Sequence, residues 1–89
     1  VGAGVTRFRV GDRVVSNGPH GEWVVAPELL VAPVPEGVGL REAPAAILGA
    51  IALESLRRAT PTLGETFLVA GLGPIGLLAV QLLRAQGCK

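Results

Sequence analysis

A glycine-rich turn carries the strongest chemical signal in this sequence. Residues 66–76 read Thr-Phe-Leu-Val-Ala-Gly-Leu-Gly-Pro-Ile-Gly, which predicts a buried strand, a tight turn and the start of a helix. Gly71 would permit the turn, Gly73 would let the backbone approach a pyrophosphate, and Gly76 would let the helix pack closely on the strand. The pyrophosphate would lie at a helix N-terminus, where free N–H groups and the helix dipole favour negative charge.

The residues predicted to bind a cofactor are the consecutive residues of this turn. They are Gly71, Leu72, Gly73, Pro74, Ile75 and Gly76. A G-x-G-x-x-G pattern alone is weakly specific, and this chain has 13 glycines among its 89 residues. The context strengthens it, because an apolar stretch precedes the turn and an apolar helix to Ala85 follows. We therefore favour nucleotide binding over an accidental glycine turn.

Other residues with reactive side chains stand alone in the sequence. His20 follows a Gly-Pro turn without a Cys, Asp or second His nearby, so we expect a surface or turn-packing residue rather than a ligand or general acid. Cys88 is the only cysteine, which excludes an internal disulfide and a cysteine zinc cluster. Ser55 and Thr60 have no local base to activate them. The sequence thus identifies no catalytic residue and predicts no metal ligand.

The elements around the turn predict a mixed α/β chain. A turn at Gly11 and Asp12 feeds a short strand to Ser16, followed by predicted strands at residues 22–26 and 29–34, as in a small β barrel or sandwich. Residues 45–59 predict a mostly apolar helix that is buried or packs against a partner. Pro44 suits the first turn of that helix.

Composition favours a globular, intracellular protein, and we expect a cytoplasmic one. Eight basic and seven acidic residues give a net charge of +1 without any cluster, which argues against a nucleic-acid partner. The uncharged run 66–83 is about as long as a membrane span of roughly 18 residues. Three glycines and Pro74 interrupt it, so we interpret it as strand plus helix, and we expect no membrane partner. The N-terminus lacks the layout of a signal peptide.

Five short segments occur in an order that resembles the medium-chain dehydrogenase/reductase superfamily. They are GDRV at 11–14, GEWVVAP at 21–27, VPEGV at 34–38, EA at 42–43 and GE at 64–65 ahead of GLGPIG, which together extend over essentially the whole chain. The resemblance implies part of a GroES-like catalytic domain at 1–38, a linking helix region at 39–63, and the start of a Rossmann domain at 64–89. It also implies NAD or NADP as the cofactor.

Zinc is doubtful within this resemblance. The stretch 48–53 is similar to the zinc-alcohol-dehydrogenase-like branch, and many members of the superfamily carry a four-cysteine zinc lobe after the GDRV strand. Here residues 16–19 lead straight into Gly21, so that lobe is absent. Zinc-dependent members also place a catalytic cysteine in the helix before the nucleotide strand, whereas residues 43–59 contain no Cys, His or Asp. The resemblance places the first two catalytic ligands upstream of Val1.

Two functions from different classes stay open. One is part of an oxidoreductase that transfers hydride between a nicotinamide cofactor and a small alcohol or carbonyl substrate. The other is a non-catalytic fragment that only folds and self-associates, because a single βα unit leaves its strand edge unpaired and favours a homo-oligomer. The acidic residue expected about 20 positions after the glycines would lie beyond Lys89, so we expect a piece of a larger protein, inactive on its own.

Overall fold

The computed structural model describes residues 1–89 and divides the chain into two compact units. The first is Val1–Pro44 and the second is Ala45–Lys89. The first holds two short strands and a 3-10 turn, and the second holds two α-helices, so the chain is mixed α/β as its sequence predicts. Neither helix has the length and apolar character that crossing a membrane requires.

The first unit contains one small antiparallel sheet. Strand β1 (Val14–Ser16) pairs with β2 (Val31–Pro33) so that Val15 lies opposite Ala32. The turn predicted before β1 forms at Gly11, whose φ of 97° lies in the left-handed region that glycine adopts without steric cost. The prediction of a strand at 29–34 is correct for its central residues, which form β2. A 3-10 turn (Glu28–Leu30) replaces the start of the predicted strand.

The strand predicted at residues 22–26 is wrong. These residues are irregular and belong to no ladder. Trp23 is 89% exposed and Val25 is 99% exposed, so their side chains pack on nothing within the chain. Strand propensity is realised by packing against cross-strand neighbours, and without them the apolar alternation does not produce a strand. The sheet is thus two-stranded, which is smaller than the predicted barrel or sandwich.

In the second unit, helix α1 (Ala45–Ala59) has the bounds that the sequence predicts. Pro44 lies immediately before it rather than inside its first turn. Only one face of α1 is covered within the chain, since Ala52 and Leu56 are buried while Ile51 is 48% exposed. The prediction of a mostly buried helix therefore holds for that one face.

Helix α2 (Pro74–Ala85) begins and ends at residues suited to those positions. Pro74 occupies its first turn, where a missing N–H breaks no helical hydrogen bond. At the other end, the N–H of Gly87 donates to the carbonyl of Arg84 at 3.0 Å, and the N–H of Cys88 donates to that of Leu83, also at 3.0 Å. This pair of bonds is the Schellman arrangement, in which Gly87 has a φ of 86°.

Beyond α2 the chain returns alongside the segment that precedes the turn. The N–H of Lys89 donates to the carbonyl of Glu65 at 2.8 Å, and the N–H of Phe67 donates to the carbonyl of Lys89 at 2.9 Å. Lys89 thus bonds to the residues before and after Thr66, which is the hydrogen-bond pattern of two parallel strands. The segment, the helix and the returning residue are therefore connected as in a parallel crossover, with a single residue of the return paired.

The segment 66–70 forms no strand, although its burial alternates as in an extended chain, so the prediction of a buried strand is wrong. Phe67 and Val69 pack against the core formed by Leu56, Leu83 and Cys88. Leu68 lies between them in sequence and is 95% exposed. Successive side chains of an extended segment point to opposite sides, and helices of this unit cover one side only.

Candidate pyrophosphate-binding turn

The extended segment ends at Gly71, where the chain reverses into the turn. Gly71 has a φ of 95°, in the left-handed region that disfavours residues with a side chain. This is the conformational role that the sequence assigns to the first glycine of the motif. A residue with a Cβ at this position would be strained whatever the free space around it.

Gly76 lies in the first turn of α2 and directly faces the end of the extended segment. A Cβ placed on Gly76 would overlap the carbonyl oxygen of Gly71, and it would also lie 3.6 Å from Cγ1 of Val69. The close approach of helix and strand predicted from the third glycine is therefore present. Any larger residue at position 76 would push α2 away from the segment.

Gly73 is the N-cap of α2, and the space beside it is open. Its φ of −71° and ψ of −177° are extended values, and its carbonyl accepts the first helical hydrogen bond, from the N–H of Leu77 at 2.9 Å. No atom lies within 4 Å of the position that a Cβ would take. The backbone of Gly73 is thus accessible to a molecule that approaches the helix end.

The N-terminus of α2 retains unpaired donors. No side chain caps it, and the N–H groups of Ile75 and Gly76 make no hydrogen bond within the chain. Leu72 is 64% exposed and Ile75 is 40% exposed, so both border this open end. Free N–H groups and the positive end of the helix dipole attract anions such as phosphate. A pyrophosphate fits this turn chemically.

The other reactive residues are not part of this turn. Cys88 is buried after α2, where its thiol donates to the carbonyl of Thr62 at 3.4 Å. Ser55 donates to the carbonyl of Ile51, four residues earlier in α1, at 3.1 Å. His20 is exposed in the first unit. No group of three or more His, Cys, Asp and Glu side chains is placed to hold a metal ion, so the residues present do not fit a zinc site.

Sequence reasoning did not single out Val69 as a neighbour of the turn. The alternation of Phe67 and Val69 with Leu68 is a period of two, which indicates that residues 67 and 69 share a face. The alternation shows which residues share a face of the segment, but it does not show that Val69 lies beside Gly76. Whether the methyl groups of Val69 reach Gly76 depends on how closely α2 approaches, which only the three-dimensional structure shows.

The chain is similar along nearly its whole length to part of several known enzymes. It is 42% identical over 97 aligned residues to a quinone oxidoreductase of Pseudomonas aeruginosa, covering 100% of this chain and 30% of that protein. It is 41% identical to a probable quinone oxidoreductase of Schizosaccharomyces pombe, in an alignment that covers 89% of this chain and 26% of that protein. It is 32% identical to a D-guloside 3-dehydrogenase of Escherichia coli, in an alignment that covers 99% of this chain and 26% of that protein.

These matches concern a part of each relative. The chain spans between about a quarter and a third of the length of the three enzymes. No family model matches the chain, and no solved structure matches it. All three relatives carry names of oxidoreductases, and their similarity extends over both the β-containing unit and the helical unit that holds the glycine turn.

Proposed function

From its membership of the medium-chain dehydrogenase/reductase superfamily, which these relatives and the ordered motifs show, we propose that this chain is part of an NAD(P)-dependent oxidoreductase. The proposed reaction is hydride transfer between the nicotinamide and a small alcohol or carbonyl substrate. Two relatives are named for a quinone, which presents carbonyl groups, and another for a guloside, which presents hydroxyl groups. Both names support this class of substrate.

The observation that carries the proposal is the open N-terminus of α2. The N–H groups of Ile75 and Gly76 are unpaired, and the space beside Gly73 is free of other atoms. We propose that residues 71–76 bind the pyrophosphate of NAD or NADP through these groups. When bound, the cofactor supplies the hydride chemistry, and the protein supplies binding and orientation. No step of this proposal uses zinc.

The substitution Gly73→Val tests the proposal. Valine adopts the extended φ and ψ of Gly73, and no neighbouring atom lies within 4 Å, so we expect the variant to fold. Its methyl groups would occupy the space that the pyrophosphate needs. We expect the dissociation constant of NADH or NADPH, measured by fluorescence titration of the complete protein, to rise more than roughly tenfold, a loss of about 1.4 kcal/mol.

Gly49→Ala is the matched control for that experiment. Gly49 lies inside α1, and no atom lies within 4 Å of its Cβ position, so alanine fits there as well. We expect Gly49→Ala to leave the dissociation constant unchanged. A folded Gly73→Val variant that binds NADH as tightly as the wild type would contradict the assignment of this turn.

Self-association is the second proposal, and one observation favours it. Leu68 is 95% exposed, and the backbone groups of residues 68–70 make no hydrogen bonds within the chain. Such an edge is a template for pairing with another strand, and charged residues that would discourage pairing are absent from 66–83. Sedimentation equilibrium of the chain with and without Leu68→Lys tests this, and a wild type that is monomeric at high concentration would contradict it.

A further inference from the structure

Val69 is the residue at which the core of the second unit reaches the glycine turn. Its side chain packs against the cluster of Leu56, Leu83 and Cys88. Its Cγ1 methyl also lies 3.6 Å from the position that a Cβ would take on Gly76. One side chain thus packs on the core that joins α1 to α2 and also lies beside the first turn of α2.

The other close neighbour of Gly76 is backbone. Of the three nearest heavy atoms to its Cβ position, two belong to the carbonyl of Gly71 and the third is Cγ1 of Val69. Gly71 has no side chain with which to anchor itself in the core. Ala79, Leu82 and Leu83 pack the later turns of α2 on the core, so Val69 is the core-packed side chain nearest to the start of the helix.

We propose that Val69 is a positioning residue for the pyrophosphate turn. By holding Gly76 at its distance from the segment, Val69 sets the direction of the unpaired N–H groups of Ile75 and Gly76. This inference rests on the function proposed above for residues 71–76. Binding groups must be held within a fraction of an ångström of their productive geometry, and neighbouring side chains locked by packing provide this.

Four variants separate positioning from a general role in stability. Val69→Ala removes the methyl groups that lie beside Gly76, and Val69→Ile enlarges the side chain at that place. Phe67→Leu is the control for core packing, because Phe67 lies on the same face and packs on the same cluster but is not among the atoms nearest to Gly76. Leu68→Ala is the control for the exposed face, since Leu68 is 95% exposed.

The first measurement needs no ligand. Backbone amide resonances of Ile75 and Gly76 are recorded by NMR in the 89-residue chain. We expect both valine variants to shift these two resonances and both control variants to leave them in place. If Val69→Ala fails to fold, the resonances of Val69→Ile alone decide the test. Unshifted resonances in a folded valine variant, or equal shifts in Phe67→Leu, would overturn the inference.

The second measurement follows the same amides during titration of the complete protein with NADH. We expect Val69→Ala to weaken the response roughly tenfold relative to the wild type, since small misplacements of binding groups carry large penalties, and Phe67→Leu to change it less than about twofold. The wild type is titrated too. If the valine variants shift the amide resonances of Ile75 and Gly76 but NADH does not shift them in the wild type, the positioning role stands and the proposed function of the turn fails. Equal NADH affinity in wild type and Val69→Ala would overturn the positioning role.

Discussion

Gly76 and Gly71, five residues apart, are in such close contact that no side chain fits between them. The Cβ position of Gly76 overlaps the carbonyl oxygen of Gly71, so the first turn of α2 rests directly on the backbone at the end of the extended segment. This contact closes the turn, and the N–H groups of Ile75 and Gly76 beside it make no hydrogen bond within the chain. The contact therefore requires a residue without a side chain at position 76, beside the candidate anion-binding donors.

We predict that Gly76→Ala destabilises the second unit. The added methyl group must displace α2 or the backbone at Gly71, and overpacking of this kind costs about 1–3 kcal/mol. Urea denaturation followed by circular dichroism measures the free energy of unfolding. Gly49→Ala, in an open position inside α1, is expected instead to stabilise by about 0.5–1 kcal/mol. Equal stability of Gly76→Ala and wild type would contradict the close contact.

We predict that Thr60→Asn stabilises the C-terminal end of α1. Thr60 is the only residue other than glycine with a positive φ, at 47°, and a β-branched side chain is strained there. Asn tolerates the left-handed region, and its N–H retains the bond to the carbonyl of Leu56. We expect a gain of up to about 1 kcal/mol in thermal or urea denaturation. Thr62→Asn is the control, expected to stay within about 0.5 kcal/mol of the wild type.

The helices could be predicted from the sequence because their signals are local. Apolar residues at helical spacing between Pro44 and Pro61 define α1, and the proline and glycines around residue 74 define the start of α2. The conformational roles of Gly71 and Gly76 were also predictable, because glycine is required where a side chain does not fit. The prediction of the enzyme superfamily is confirmed by the relatives.

The strands could be predicted only in part, because they depend on partners distant in sequence. The predicted strand that ends at Ser16 and the centre of the one at 29–34 form. Residues 22–26 have a strand-like composition but meet no neighbouring strand, and they stay irregular. Leu68 is apolar, yet the side of the segment to which it points has no covering layer within the chain. The assignment of 1–38 and 64–89 to GroES-like and Rossmann domains, and of residues 71–76 to cofactor binding, stay predictions.

We predict that the chain binds no stoichiometric zinc. A closed structural zinc site needs four N, S or O ligands, and Cys88 and His20 are the only residues of their kinds. Cys88 is buried and its thiol donates to the carbonyl of Thr62, so it is not presented to a metal ion. Elemental analysis of tag-free protein checks this. One zinc per chain would contradict the prediction, and loss of that zinc in Cys88→Ser would show that the thiol holds it.

We predict that the 89-residue chain alone has no dehydrogenase activity. It contains one segment, one glycine turn and one helix of the proposed nucleotide site, whereas a dinucleotide binds across the crevice between two halves of a sheet. The turn by itself offers backbone donors without a charged side chain between residues 66 and 83, so its affinity for an isolated anion should be weak. NAD(P)-dependent turnover is measured across alcohols, aldehydes and quinones, with calorimetry following dinucleotide binding. Turnover that survives purification and disappears in Gly73→Val would contradict this prediction, because it would show that these residues assemble a working site unaided.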